Sequence, residues 1–149
     1  MALDLSTLNP VDDGVALELS HPVTGEVLRD DQGVAISITL LGQDSEAYQR
    51  AENQAQNRRL RDASRGRRAT LTAEQIKAEA LEVLVACTVA WHGVVFEGVA
   101  LECTATNVRR LYTERAWIRE QVDAFVADRA NFFGRSKGSS SPSPSTSSG

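Results

Sequence analysis

"VAISITLLGQDSEAYQRAENQ", residues Val34 to Gln54, changes its period in the middle. Up to Leu41 the residues are β-branched or aliphatic (Val34, Ile36, Ile38, Thr39), which suits a pleated surface. Beyond Gly42 the pattern of two is gone. Asp44 or Ser45 is placed to cap a helix, and strong helix formers follow. A strand that runs straight into a helix at residue 44 predicts an α+β protein: a small N-terminal antiparallel β-sheet followed by a C-terminal helical bundle.

Toward the N-terminus, "VALELS" alternates, with Val15, Leu17 and Leu19 on one side and Ala16, Glu18 and Ser20 on the other. A period of two marks a half-buried strand. "HPVTGE" and "DDQG" supply the breaks that turn the chain. The sheet is therefore expected over about residues 14–42, preceded by an irregular arm.

Toward the C-terminus, the helix opened by Ser45 carries few apolar residues: Tyr48, Ala51, Ala55 and Leu60. So narrow a stripe leaves a helix exposed or waiting for a partner. Thr72 and Gln75 have capping-box spacing. Ile76, Ala80, Val83, Leu84, Cys87 and Trp91 then recur at helical intervals, predicting a core helix that reaches Trp91 with Gly93 as its C-cap. "VVFEGVALE" reads as a turn or hairpin around Gly98. Thr104 or Thr106 caps a helix with Val108, Leu111 and Tyr112. A last helix carries Ile118, Val122, Phe125 and Val126, closing near Phe132 and Phe133. The helical part spans about 44–133, and residues 1–134 make a single domain. Residues 135–149 are expected to be a disordered Ser/Pro/Gly-rich tail, since eight of the last 14 residues are serine.

The chain has 149 residues, a formal net charge of −4 and only 5% aromatics. A core of this size rests on Leu, Val, Ile and Ala. Nothing in the overall charge calls for nucleic acid or an anionic membrane. "MALDLSTLNP" has no secretory pattern, and the longest nearly apolar run, Val83 to Trp91, is too short to span a bilayer. Two cysteines make no disulfide framework, so the expectation is a soluble intracellular protein with free thiols.

"ACTVAWHGVVFEG", Ala86 to Gly98, sets Cys87 and His92 eleven residues or more before Cys103. Four ligands must close around a zinc ion, and here there is no ligand pair and no fourth candidate except His21. Cys87 falls on the apolar stripe, where a thiol behaves as a small hydrophobe. His92 is expected beside the helix C-cap, where an imidazolium favours the dipole. Asp12–Asp13 and Asp30–Asp31 read as loop residues. No phosphate loop, nucleophile elbow or zinc-protease motif is present. The expectation is a non-enzymatic protein without metal or cofactor.

Arg58, Arg59, Arg61, Arg65, Arg67 and Arg68 fall within one 11-residue window, opposed only by Asp62. Three readings stand: a solvated helix end favoured by the dipole, an anchor for an acidic protein partner, or a phosphate-binding patch. No aromatics interleave to stack bases, which weighs against nucleic acid. With Tyr48, these six arginines are the candidate partner-binding residues.

Four stretches in order, "HPVTGEVL", "ISITLLGQDSEAYQRAENQ", "AWHGVVFEG" and "TATNVRRLYTERAWIREQVDAFVADRANFF", resemble the tail assembly chaperones of long-tailed bacteriophages over roughly residues 15–133. The resemblance implies a non-enzymatic protein of the infected host's cytoplasm. It would bind the long helical tape measure protein, keep it soluble, help the tail tube protein polymerise around it, and be absent from the mature virion. Self-association belongs to the same expectation. In many such phages a programmed ribosomal frameshift near the end of the gene yields a longer second product, and the low-complexity stretch after Gly134 is where a slip would fall. The alternatives are a structural tail component (a completion or terminator protein) and a nucleic-acid-binding regulator.

Overall fold

The computed structural model describes residues 4–66 and 72–133. The Ser/Pro tail, Arg67 and Arg68 lie outside them. The fold is α+β. Strands β1 (Val15–Glu18) and β2 (Ser37–Leu40) pair antiparallel. Helices α1 (Glu46–Ser64) and α2 (Ala73–Cys87) follow. Next come strand β3 (Thr88–His92) and a two-stranded hairpin of β4 (Val95–Phe96) and β5 (Val99–Ala100). Helices α3 (Ala105–Glu114) and α4 (Ala116–Ala127) lead to a closing 3₁₀ turn, Arg129–Phe132.

The chain alternates as its pattern requires. Leu17 lies opposite Ile38 and Val15 opposite Leu40 on the inner face, while Ala16 and Glu18 point out with Thr39 and Ser37. The long β1–β2 connection folds back on itself through three mutually bonded residues. Leu19 donates to the Ile36 carbonyl (2.9 Å), Ile36 to Leu28 (2.8 Å) and Leu28 to Leu19 (2.9 Å). This closed ring satisfies buried backbone groups that a loose loop would leave unpaired.

The expected caps are in place. The Ser45 hydroxyl accepts from the Tyr48 amide at 3.2 Å, and Thr104 accepts from Asn107 at 3.2 Å. Thr72 and Gln75 bond reciprocally, each at 3.1 Å. The hairpin expected around Gly98 is present. Glu97 and Gly98 both take positive φ (54° and 79°), the conformation a two-residue hairpin turn demands.

Two expectations are corrected. The core helix does not reach Trp91: it ends at Cys87, and Thr88–His92 joins β2 as the third strand, in the order β1-β2-β3. The sheet is therefore not confined to residues 14–42. The open edge of β2 takes up this segment, whose Thr88 and Val89 favour a strand. A register shift between Thr39 and Leu40 sets Thr88 opposite Leu40 and Trp91 opposite Ile38, both on the core side, while Cys87 is buried at the helix end just before the strand. Hence a helical spacing of four misled. Gly93 (φ 79°) accordingly turns the chain out of a strand rather than capping a helix, and His92 lies at the strand end. The N-terminal arm is also less irregular than expected. It carries a 3₁₀ turn at Leu5–Thr7, Pro10 bridges to Phe133, and the Val11 amide donates to the Phe132 carbonyl at 2.8 Å.

The core lies between the inner sheet face and α2, α3 and α4. Ile38, Leu40, Tyr112 and Val122 are fully buried in it, with Leu84 and Phe132 nearly so. Burying one such side chain contributes about 1.5–3 kcal/mol. Tyr112 keeps its hydroxyl satisfied by pairing with the Thr88 hydroxyl at 2.7 Å.

Candidate functional site

The surface that stands out is the arm formed by α1 and α2. The 19 residues of α1 extend about 28 Å at helical rise. They pack along α2 and against no other element to a comparable extent. Only Ala55 of α1 is buried, so its alanines let the two helices approach and leave the remaining faces in solvent. Shallow grooves run on both sides of the seam. One, of about 170 Å³, is lined by Ala51, Ala55, Arg58, Glu82 and Ala86. The other, of about 200 Å³, is lined by Gln56, Arg59, Ile76, Ala80 and Val83. Toward the far end Leu60 and Ile76 are exposed (68% and 52%), although their apolar side chains would favour burial.

The candidate binding residues divide. Arg59 is bonded to Glu79 across the seam at 3.1 Å. Arg58 stands beside Glu82, whose carboxyl is held below its usual range chiefly by a bidentate bond from Arg109 (2.7 and 2.9 Å). Arg61 and Arg65 are exposed and pair with no carboxylate of the described residues. Tyr48 is not on this surface. It is half-buried at the root of α1, packed against the core, and that burial raises its phenol pKa. The six-arginine cluster is thus no single patch among the described residues. One of its members, Arg59, braces the arm, Arg58 lies beside Glu82, and Arg61 and Arg65 meet no carboxylate among the described residues.

The thiols and imidazoles lie apart. Cys87 is fully buried, and burial pushes its pKa up to about 11, against a small opposing effect of the Ser45 hydroxyl. Cys103 is half-buried, and its pKa is raised for the same reason. His92 Nε2 meets Asp30 at 2.8 Å. His21 Nδ1 accepts from the Val23 and Thr24 amides within its turn. No group of three or more His, Cys, Asp and Glu side chains gathers as metal ligands among the described residues.

A second concavity was not anticipated. A cleft of about 480 Å³ opens between the β1–β2 connection, the β4–β5 hairpin and the α3–α4 corner. Leu19, Leu28, Val94, Phe96 and Ile118 give it an apolar floor, and Arg29, Asp31, Arg115 and Trp117 stand around it. Phe96 is held by Arg110 and Arg115, whose guanidinium carbons lie 4.9 and 4.8 Å from its ring centre. These residues come from separate segments, so no local motif announces them. The one local hint was Arg115-Ala116-Trp117, which reads simply as the start of a helix.

In comparisons with known proteins, no family model, no curated protein and no solved structure matches the chain. No helix among the described residues is long and apolar enough to cross a membrane.

Proposed function

We propose that this protein is a phage tail assembly chaperone. In this reading it is a non-enzymatic factor that holds the long helical tape measure protein in soluble form and promotes tail tube assembly around it. It acts in the host bacterial cytoplasm and leaves before the virion matures. The observation that carries the reading is the α1–α2 arm, a long helix fastened along one side only. It carries the exposed apolar residues Leu60 and Ile76 together with Arg61 and Arg65, which meet no carboxylate among the described residues. A helix-in-groove partner needs an apolar seam for affinity and flanking charge for encounter and register. The ordered motifs over residues 15–133 supply the particular family.

The test is co-expression with the long helical open reading frame encoded nearby, followed by solubility and pull-down assays. The protein is expected to keep that partner soluble and to be missing from purified virions. If it neither binds nor solubilises the partner and occurs in virions at fixed copy number, it is a structural tail component instead.

A further inference from the structure

We propose that the segment held by the arm is an acidic amphipathic helix, and that it lies along the groove beside Arg58, Arg61 and Arg65 rather than the one beside Arg59 and Ile76. This rests on the reading of the arm as the partner-binding element, and adds to it the groove used and the chemistry of the segment bound.

Arg58, Arg61 and Arg65 recur at intervals of three and four, so they share one side of α1 and its C-cap. Arg58 lines the smaller groove together with Ala51, Ala55, Val85 and Ala86. The row of arginines therefore continues the rim of that groove toward the end of the arm. The groove, about 170 Å³, has a floor of small apolar side chains and takes one aliphatic side chain of a partner. From Arg58 to Arg65 the row spans about 10 Å at helical rise. A helix laid alongside meets all three guanidinium groups with carboxylates at the same spacing.

The charge on this side is not balanced within the protein. The two acids of the groove are each bonded to an arginine outside the row: Glu79 to Arg59 at 3.1 Å, and Glu82 to Arg109 at 2.7 and 2.9 Å. Asp62 is the one acid in that stretch of α1, against the three arginines of the row. By sequence, residues 58–68 carry a net charge of +5 and the rest of the chain −9. The other groove is different. Glu52, Arg59 and Glu79 line it, and Glu79 already holds its single arginine. The helix dipole favours cations in the last turn of α1 but does not require them on one side. A nucleic acid fits less well. The only aromatic residue of α1 and α2 is Tyr48, at the root of the arm, so nothing near the row stacks bases. A polyanion long enough to run past the arm also meets the negative remainder of the chain. A short acidic helix meets the row alone.

The experiment titrates the full-length protein with a capped, alanine-based helical peptide that carries one leucine followed by glutamates at helical spacing. Its glutamine isostere, its lysine analogue and a short DNA duplex are the comparisons. Amide chemical shifts and calorimetric titration report binding. The glutamate peptide is expected to saturate with shifts centred on Ala51, Arg58, Arg61, Val85 and Ala86. Three exposed charge pairs should make it bind about fivefold tighter than the isostere. In the Arg61→Gln, Arg65→Gln pair that preference should fall toward unity while the melting curve stays unchanged. Four results would overturn the proposal: no saturable binding, equal binding of the glutamate and glutamine peptides, shifts centred instead on Gln56, Ile76 and Ala80, or tighter binding of the duplex. So would concentration-dependent shifts of the arm without peptide, which would make a second copy of the chain the occupant. The same double variant separates this inference from the chaperone reading. If it pulls down the co-expressed partner as well as the wild type does at every salt concentration, the acidic-helix inference fails alone. If the wild type binds the glutamate peptide yet solubilises no partner, the chaperone reading fails and the acidic-helix site stands.

Discussion

Gly42 stands where strand β2 gives way to helix α1, directly beneath a phenyl ring. A Cβ placed there would lie 2.6 Å from Cδ2 of Phe132, itself only 2% exposed. The backbone angle is ordinary, so space alone demands glycine. Gly42→Ala should force that ring aside at about 1–3 kcal/mol, lowering the melting temperature by several degrees; an unchanged melting curve would refute the packing. Cys87 offers a second check. Its thiol pKa rises from 9.0 to about 11 on burial, so the folded state holds its proton where the unfolded chain has begun to lose it. Stability from this group is intact below pH 9 and falls between about pH 9 and 11. Burial moves Tyr112 in the same direction. Urea melts across that range should show the decline, less steeply in Cys87→Ala. Native Cys87 should also resist alkylation at pH 8. The burial of Cys87 was legible in the sequence because its apolar neighbours repeat at a fixed interval. The role of His92 was not, since its partner Asp30 lies 62 residues away along the chain.

Elements were legible where chemistry is local. The capping box at Thr72, the Ser45 and Thr104 caps and the Gly98 hairpin each depend on residues within four positions, and each was readable in advance. The end of α2 was not. Cys87 to Trp91 fits one helical turn and also a strand with a register shift, and only the unpaired edge of β2, far back in the chain, chooses between them. Helix α1 yields the element-scale prediction. Because it packs chiefly on α2, its amides beyond the Tyr48 turn should exchange with solvent well before those of α3 and α4. Arg59→Glu sets two acids together at Glu79 and should loosen the arm by about 1 kcal/mol, speeding that exchange. Arg61→Glu with Arg65→Glu breaks no observed pair. It should leave exchange and melting unchanged while slowing association with a helical partner and reducing its salt sensitivity. If both sets of variants behave alike, the division between bracing and free arginines is wrong.

For the whole molecule, the third strand matters most. Residues 14–42 and 44–133 read as a sheet followed by helices, yet β3 completes the sheet from beyond α2. The two parts therefore share one core and should not fold apart. A fragment beginning at residue 44 leaves β3 without its neighbour β2 and exposes Leu84 and Tyr112. By circular dichroism and melting it should show weak, uncooperative structure, and co-expression of the missing piece should restore a sharp transition. Cooperative folding of the isolated fragment would refute this. The class and the succession of helices were visible in the sequence, while strand β3, its interleaving and the cleft were not, because they arise only when distant segments meet.

The contact between Val11 and Phe132 has a consequence for chain connectivity. With Pro10 and Phe133 bridged, the fold runs as a nearly closed loop whose start is arbitrary. The order of segments can then be rewritten without moving an atom of the core. A circular permutant joining residues 10 and 133 through a short glycine linker, and opened beside Val23, which is 86% exposed in its turn, should fold with an unchanged spectrum.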